Sequence, residues 1–177
     1  MHNFRQITEN LYNVGANDRR IRMFENAHPV PRGMSYNSFL LMDEKTVLLD
    51  GVDSAIIEQF WQNLEAVLNG RELDYLVINH IEPDHCHPYL QLLRRFPGLT
   101  IVSNKKALTM LTQFYDVDLG GRTLEVAEGD NLKTGKHNLT FYMAPMVHWP
   151  EVMVTYDTTS KILFCADAFG TFGPTDG

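Results

Sequence analysis

Residues 74–98, "DYLVINHIEPDHCHPYLQLLRRFPG", order the chain locally more tightly than any other segment. The apolar run 74–79 reads as a short buried strand. Pro88 opens a stretch in which Tyr89, Leu90, Leu92, Leu93 and Phe96 keep helical spacing, until Pro97 and Gly98 end it. Between them, residues 79–88 hold three histidines, a glutamate and an aspartate. Strand, polar loop, helix is the order of a sheet with helices packed on it. The next segment repeats it, with "LTIVS" as a strand and a helix capped by Ser103 running to about Tyr115.

Upstream, "YNSFLLMDEKTVLLDGV" reads as two strands joined by a tight turn at Asp43, Glu44 and Lys45, an antiparallel hairpin ending at Asp50. From Ser54 to Leu68 the residues Ile56, Ile57, Phe60, Trp61, Leu64, Val67 and Leu68 fall on one side of a 3.6-residue period, with Asp53 or Ser54 as cap and Gly70 as stop. After Gly120 and Gly121 the character changes. "RTLEVAE", "NLTFYMAP", "VMVTYD" and "KILFCAD" read as successive strands, with Asp157 to Ser160 turning between the last two. There is no internal repeat, low-complexity segment or long linker, so 177 residues form one α/β domain.

The net charge of −7 disfavours nucleic acid and an anionic membrane surface, both of which need a basic face. No run approaches the roughly 20 apolar residues of a membrane helix, and "MHNFRQITEN" lacks the apolar core of a signal peptide. The two cysteines, Cys86 and Cys165, form no CxxC pair, which suits a reducing compartment; the cytoplasm is the expected location and a small molecule or a protein the expected partner.

His80, Glu82, Asp84 and His85 crowd into six positions just past a strand end, where side chains can converge without breaking sheet hydrogen bonds. His148 follows the strand "NLTFYMAP", and Asp167 ends the strand "KILFCAD". Strand ends on one edge of a layered fold lie together, so these six can share a site. Six N and O ligands, three of them carboxylates, exceed the about four that one zinc takes and suit two metals bridged by a carboxylate. Imidazoles with hard carboxylates suit iron or manganese at least as well as zinc. A lone histidine is ordinarily a satisfied core residue; the joint pattern is what argues for a metal. His87, outside the spacing, reads as solvent-side or supporting. Cys86 reads as a small buried residue, and Trp149 and Phe169 as core packing.

"HIEPDH" resembles the H-x-E-x-D-H signature of flavodiiron proteins, the redox branch of the metallo-β-lactamase superfamily, whose hydrolases usually have histidine where this chain has Glu82. The 62 residues between His85 and His148 and the 18 between His148 and Asp167 match that spacing. "RGMSYNSFLL", "VINHIEPDH", "APMVHWPE" and "ADAFGTFG" look like family blocks along almost the whole chain. The resemblance implies an αββα sandwich in which His80, Glu82 and His148 bind one iron, Asp84 and His85 the other, and Asp167 bridges them. It implies reduction of dioxygen to water or of nitric oxide to nitrous oxide with electrons from FMN, zinc or manganese being substitutes for iron. The FMN would sit in a flavodoxin-like domain, brought near the metals by a head-to-tail homodimer and fed by an electron donor such as a rubredoxin.

These 177 residues contain no flavodoxin-like domain, and the further histidine that such proteins supply to the second metal would fall beyond Gly177. The expectation is therefore an amino-terminal portion, 1–177, of a longer protein, with the sandwich truncated in its C-terminal part. Two other readings stay open: a zinc-dependent hydrolase of the same fold, with Asp84 orienting the attacking water, and a catalytically incomplete metal-binding fragment.

Overall fold

Period-two alternation sorts the strand side chains between two cores. In the computed structural model, which describes residues 2–175, the strands are β1 (Arg5–Gln6), β2 (Leu11–Asn13), β3 (Ala16–Asp18), β4 (Met23–Phe24), β5 (His28–Pro29), β6 (Met34–Tyr36), β7 (Phe39–Met42) and β8 (Thr46–Leu49). They continue with β9 (Tyr75–Val77), β10 (Thr100–Ser103), β11 (Thr123–Glu125), β12 (Asn131–Lys133), β13 (Asn138–Met143), β14 (Met153–Asp157) and β15 (Ile162–Phe164). The helices are α1 (Ile57–Leu68), α2 (Pro83–Cys86), α3 (Tyr89–Arg95) and α4 (Lys105–Tyr115).

One sheet has the order β1-β2-β7-β8-β9-β10-β11, antiparallel up to β8 and parallel from β8 to β11. The other, β12-β13-β14-β15, is an antiparallel meander, and β3 with β6 and β4 with β5 form short ribbons. Leu40, Leu48, Leu76 and Ile101 face Phe60 and Leu64 of α1, Leu92 of α3 and Leu111 of α4. Their neighbours Leu41, Val47, Leu49, Val77 and Val102 point the other way, onto Leu139, Phe141, Met153 and Phe164 of the second sheet. The layers are helix, sheet, sheet, as the α/β reading requires; among the described residues, none of those buried between the sheets comes from a helix.

Several local details depart from the sequence reading. The helix expected over 54–68 begins with a 3₁₀ turn at Ser54–Ile56, capped by the Asp53 carboxylate accepting from the Ala55 N–H at 2.7 Å. It stops at Asn69, left-handed at φ 47°, before Gly70. The cap of α4 is Asn104, whose side chain accepts from the Ala107 N–H, whereas the Ser103 hydroxyl donates to the Ile78 carbonyl. Asp84 and His85 stand on a single helical turn, α2, with Pro83 at its first position, and not on an open loop. β1 to β6 and β12 are further strands beyond those expected.

The hairpin turn also clasps the two sheets. Asp43 accepts from the Thr134 hydroxyl at 2.8 Å and the His137 N–H at 2.9 Å, and His137 Nδ1 meets Asp157 Oδ2 at 2.7 Å. Burial alone would raise the Asp43 carboxyl, but the His137 N–H and the Thr134 hydroxyl outweigh it and hold it at about 2. A depressed acid contributes stability above its unfolded value of 3.8 and loses it as pH falls towards 2. The difference between the native chain and Asp43→Asn is expected to be on the order of 2 kcal/mol at neutral pH and to shrink towards zero through that window. Urea unfolding at a series of pH values reads this; a difference independent of pH would mean that Asp43 acts through shape alone.

Candidate metal centre

The site is built where β8 and β9 end beside β14. Asp50, at the end of β8, is buried and accepts from the Asn79 N–H (2.8 Å), the Asn79 side-chain amide (2.9 Å) and the His80 N–H (3.3 Å). Asn79 in turn accepts from the Thr155 hydroxyl at 2.7 Å through its side chain and from the Met153 N–H at 3.0 Å through its carbonyl. One residue thus fastens both sheets immediately before His80. Gly51 lets the chain close on α2: its N–H donates to the His85 carbonyl at 2.7 Å, and a Cβ there would lie 2.7 Å from that oxygen and from Pro88 Cγ.

His80, Glu82, Asp84 and His85 come from this end of the large sheet, His148 from the loop between β13 and β14, and Asp167 from the segment after β15. His80, Glu82, His148 and Asp167 each offer one donor atom, and these atoms all lie within 4.8 Å of one another. Glu82 Oε2 is 3.0 Å from His80 Nε2 and 3.1 Å from His148 Nε2. Asp167 turns its two oxygens to different partners: Oδ2 is 3.2 Å from His148 Nε2 and 3.5 Å from His80 Nε2, and Oδ1 is 2.8 Å from His85 Nε2. Asp84 Oδ2 lies 3.7 Å from the same His85 nitrogen. All six expected residues therefore meet, four in one tight group and two on the far side of Asp167.

Charge is concentrated accordingly. Burial lowers the basicity of His80, but hydrogen bonds to Glu151 and Glu82 outweigh it and hold the imidazole at about 10; for His85 the Asp167 hydrogen bond does the same, to about 9. Burial raises Asp167, yet His85 and His80 bring it down to about 2. Burial, reinforced by the Asp167 and Glu82 charges, pushes Asp84 up to about 6. Several carboxylates facing one point favour any cation there, and the raised histidines record that preference with protons. The donor set fits a metal pair: carboxylates and imidazole Nε2 atoms converge, and Asp84 Oδ1 is buried with no partner.

The loops that carry the last two candidate ligands hold Met146, Ala166 and Phe169 at positive φ (68°, 46° and 65°), a conformation that costs energy in non-glycine residues. Next to the site a cavity of about 740 Å³ is lined by Tyr36, Phe39, Phe164, Glu82, His85 and Asp167, among others.

Cys86 is buried as expected, its Sγ 3.2 Å from the Ile81 carbonyl, with burial pushing the thiol up to about 12. His87 is exposed. Trp149 packs on the large core and stands edge-on to His80 at 5.3 Å. Phe169, at φ 65°, is 90% exposed and belongs to neither core cluster, so the core-packing expectation does not hold for it. Sequence reasoning gave no role to Asp50 and Glu151, which hydrogen-bond His80, to Asn79, which holds Asp50, or to Glu25, which lines the cavity beside Glu82. The neighbouring Glu82 carboxylate, with burial and the Asp84 charge, raises Glu25. The usable signal for Glu151 was chemical: each ligating imidazole needs an acceptor at its second nitrogen.

Residues 34–176 match the sequence model of the ODP family beta lactamase. The chain belongs to this family. An anaerobic nitric oxide reductase flavorubredoxin of Vibrio vulnificus is 34% identical to the present ODP family domain over 166 residues, 93% of this chain and 33% of that protein. The rubredoxin oxygen:oxidoreductase of Desulfovibrio gigas superposes with a TM-score of 0.92 at 29% identity, covering 98% of this chain and 43% of that one. The flavodiiron protein of Giardia intestinalis gives 0.92 at 30% identity, covering 100% and 43%. This ODP family domain thus has the lactamase-like fold of flavodiiron proteins and spans about a third of the curated relative's length. No helix among its described residues is long and apolar enough to cross a membrane.

Proposed function

We propose that this domain holds the dinuclear iron centre of a flavodiiron-type oxidoreductase that reduces dioxygen to water, nitric oxide to nitrous oxide, or both. The observation that carries the reading is the Asp167 carboxylate, whose two oxygens face two separate ligand groups, as a bridging ligand must. His80, Glu82 and His148 would hold one iron and Asp84 and His85 the other, with zinc or manganese able to substitute. Relatives named as nitric oxide reductase and oxygen oxidoreductase support the substrate class.

What iron supplies when bound is a pair of redox-active Lewis acids for a diatomic ligand. What the chain supplies is position and charge. His80 and Glu82 are buried and fixed, while the side chains of His148 and Asp167 are 55% and 36% exposed, so the site opens on their side. Electrons would come from FMN in a flavodoxin-like domain outside residues 1–177, reached across a head-to-tail homodimer and refilled by a rubredoxin-type donor in the cytoplasm.

Metal analysis of the 177-residue chain is expected to find one tightly held ion and a second that a chelator removes readily, because His80, Glu82 and His148 converge with Asp167 on one side, whereas only Asp84 and His85 stand on its other side. Two equally retained ions would contradict that asymmetry. Function is tested by loading the chain with iron, supplying a flavodoxin-like domain with FMN and reduced rubredoxin, and following nitric oxide consumption under anaerobic conditions and dioxygen uptake separately. Consumption of either gas supports the proposal. A zinc-only protein that hydrolyses esters and consumes neither gas would replace it with a hydrolase.

A further inference from the structure

An imidazole that gives one ring nitrogen to a metal turns freely unless its other nitrogen is held. His80 Nδ1 is held by Glu151 Oε1 at 2.7 Å, and the same oxygen accepts from the Ile81 N–H at 3.1 Å. Both residues are out of solvent, His80 at 0% and Glu151 at 1% exposure. The Glu151 carbonyl is pinned from the other side by the Asn104 side-chain amide at 2.6 Å. Glu151 also lies three residues past His148 on the same loop, which closes on itself through Met146 N–H to Trp149 carbonyl (2.8 Å) and Ala144 N–H to Val152 carbonyl (2.9 Å).

Resting on the metal reading above, we propose that Glu151 is a positioning residue: its carboxylate locks His80 with Nε2 turned towards Glu82 and Asp167, and ties the loop bearing His148 to the loop bearing His80. Stability alone does not account for a carboxylate here. Its second oxygen is buried without a partner, and an unmet buried acceptor works against folding. A negative charge on the Nδ1–H makes Nε2 a stronger donor to a metal, which a neutral group at the same place does less well.

The test uses the whole 177-residue chain with cobalt(II) and zinc(II), titrated against a competing chelator. Glu151→Gln keeps an acceptor but loses the charge and is expected to bind about tenfold more weakly; Glu151→Ala loses both and is expected to bind about 100-fold more weakly. The visible bands of bound cobalt should shift in both variants, a change that a purely structural role would not produce. A second measurement needs no substitution: nitrogen NMR of the zinc-loaded native chain should find the His80 proton on Nδ1, exchanging slowly. Native affinity and an unchanged cobalt spectrum in Glu151→Gln, or a His80 proton on Nε2, would overturn the inference alone. Failure of the native chain to bind either ion would overturn the metal reading and the inference with it.

Discussion

Asp167→Ala is expected to weaken metal binding by at least about 100-fold, more than loss of a group that only supports a ligand. The reason is its reach: Oδ2 serves the His148 and His80 side and Oδ1 the His85 side, so one truncation damages both positions. Asp167→Asn, which keeps one acceptor oxygen, should fall between. Chelator competition with zinc(II) measures this, and an affinity within about threefold of native would remove Asp167 from the ligand set. The metal-free chain gives an independent reading. Asp167 is depressed to about 2 from 3.8, so its contribution is full above 3.8; His85 is raised to about 9 from 6.5, so its contribution is full below 6.5. The stability lost in Asp167→Ala should therefore be greatest between those two values, fading as pH rises through 9 or falls through 2.

The second large effect concerns the layer between the sheets. Phe141, fully buried on β13, packs among Leu49, Val77 and Val102 of one sheet and Leu139 and Met153 of the other. Phe141→Ala removes a ring from a close-packed interface that cannot collapse to fill the gap, costing about 3–5 kcal/mol. Against a domain stability of about 5–15 kcal/mol that leaves little, and poor soluble yield is expected. Tyr142, the next residue, points to the opposite face and is 41% exposed. Tyr142→Ala should cost about 1 kcal/mol or less. Comparable losses in the two variants, read by thermal unfolding, would mean that β13 does not present its faces in this register.

That contrast shows what the sequence made legible. The short apolar runs "FLLM" and "TVLL", set apart by a polar turn, and the helical spacing from Ile57 to Leu68 are local patterns, and these elements stand where those patterns put them. β1 to β6 have two or three residues each, too short to show a period, and β2 and β3 pair with strands well removed in sequence, as Leu11 does with Leu41. β12, "NLK", lies in a polar, glycine-flanked stretch and is a strand only because β13 pairs with it. The candidate ligands were legible because histidines and carboxylates just past strand ends have few structural uses, and because their order resembles a known family signature. Their supports were not. Asp50 and Glu151 are ordinary acids in sequence and acquire their roles only when folding buries them against Asn79 and His80. Phe169 stands 90% exposed although the sequence reads it as core packing, because an aromatic residue beside a ligand-bearing strand carries no local signal of which side it faces.

The candidate cluster takes its donors from two layers that otherwise adhere through side-chain packing, the Asn79 hydrogen bonds and the Asp43 clasp. An ion gripped there is a rivet through both plates, so affinity for the ion and cohesion between the plates are one quantity seen from two ends. By mass action, free ion at about 100 times its dissociation constant adds about 2.7 kcal/mol against separation of the layers. Starvation for metal would then loosen the scaffold along with its chemistry.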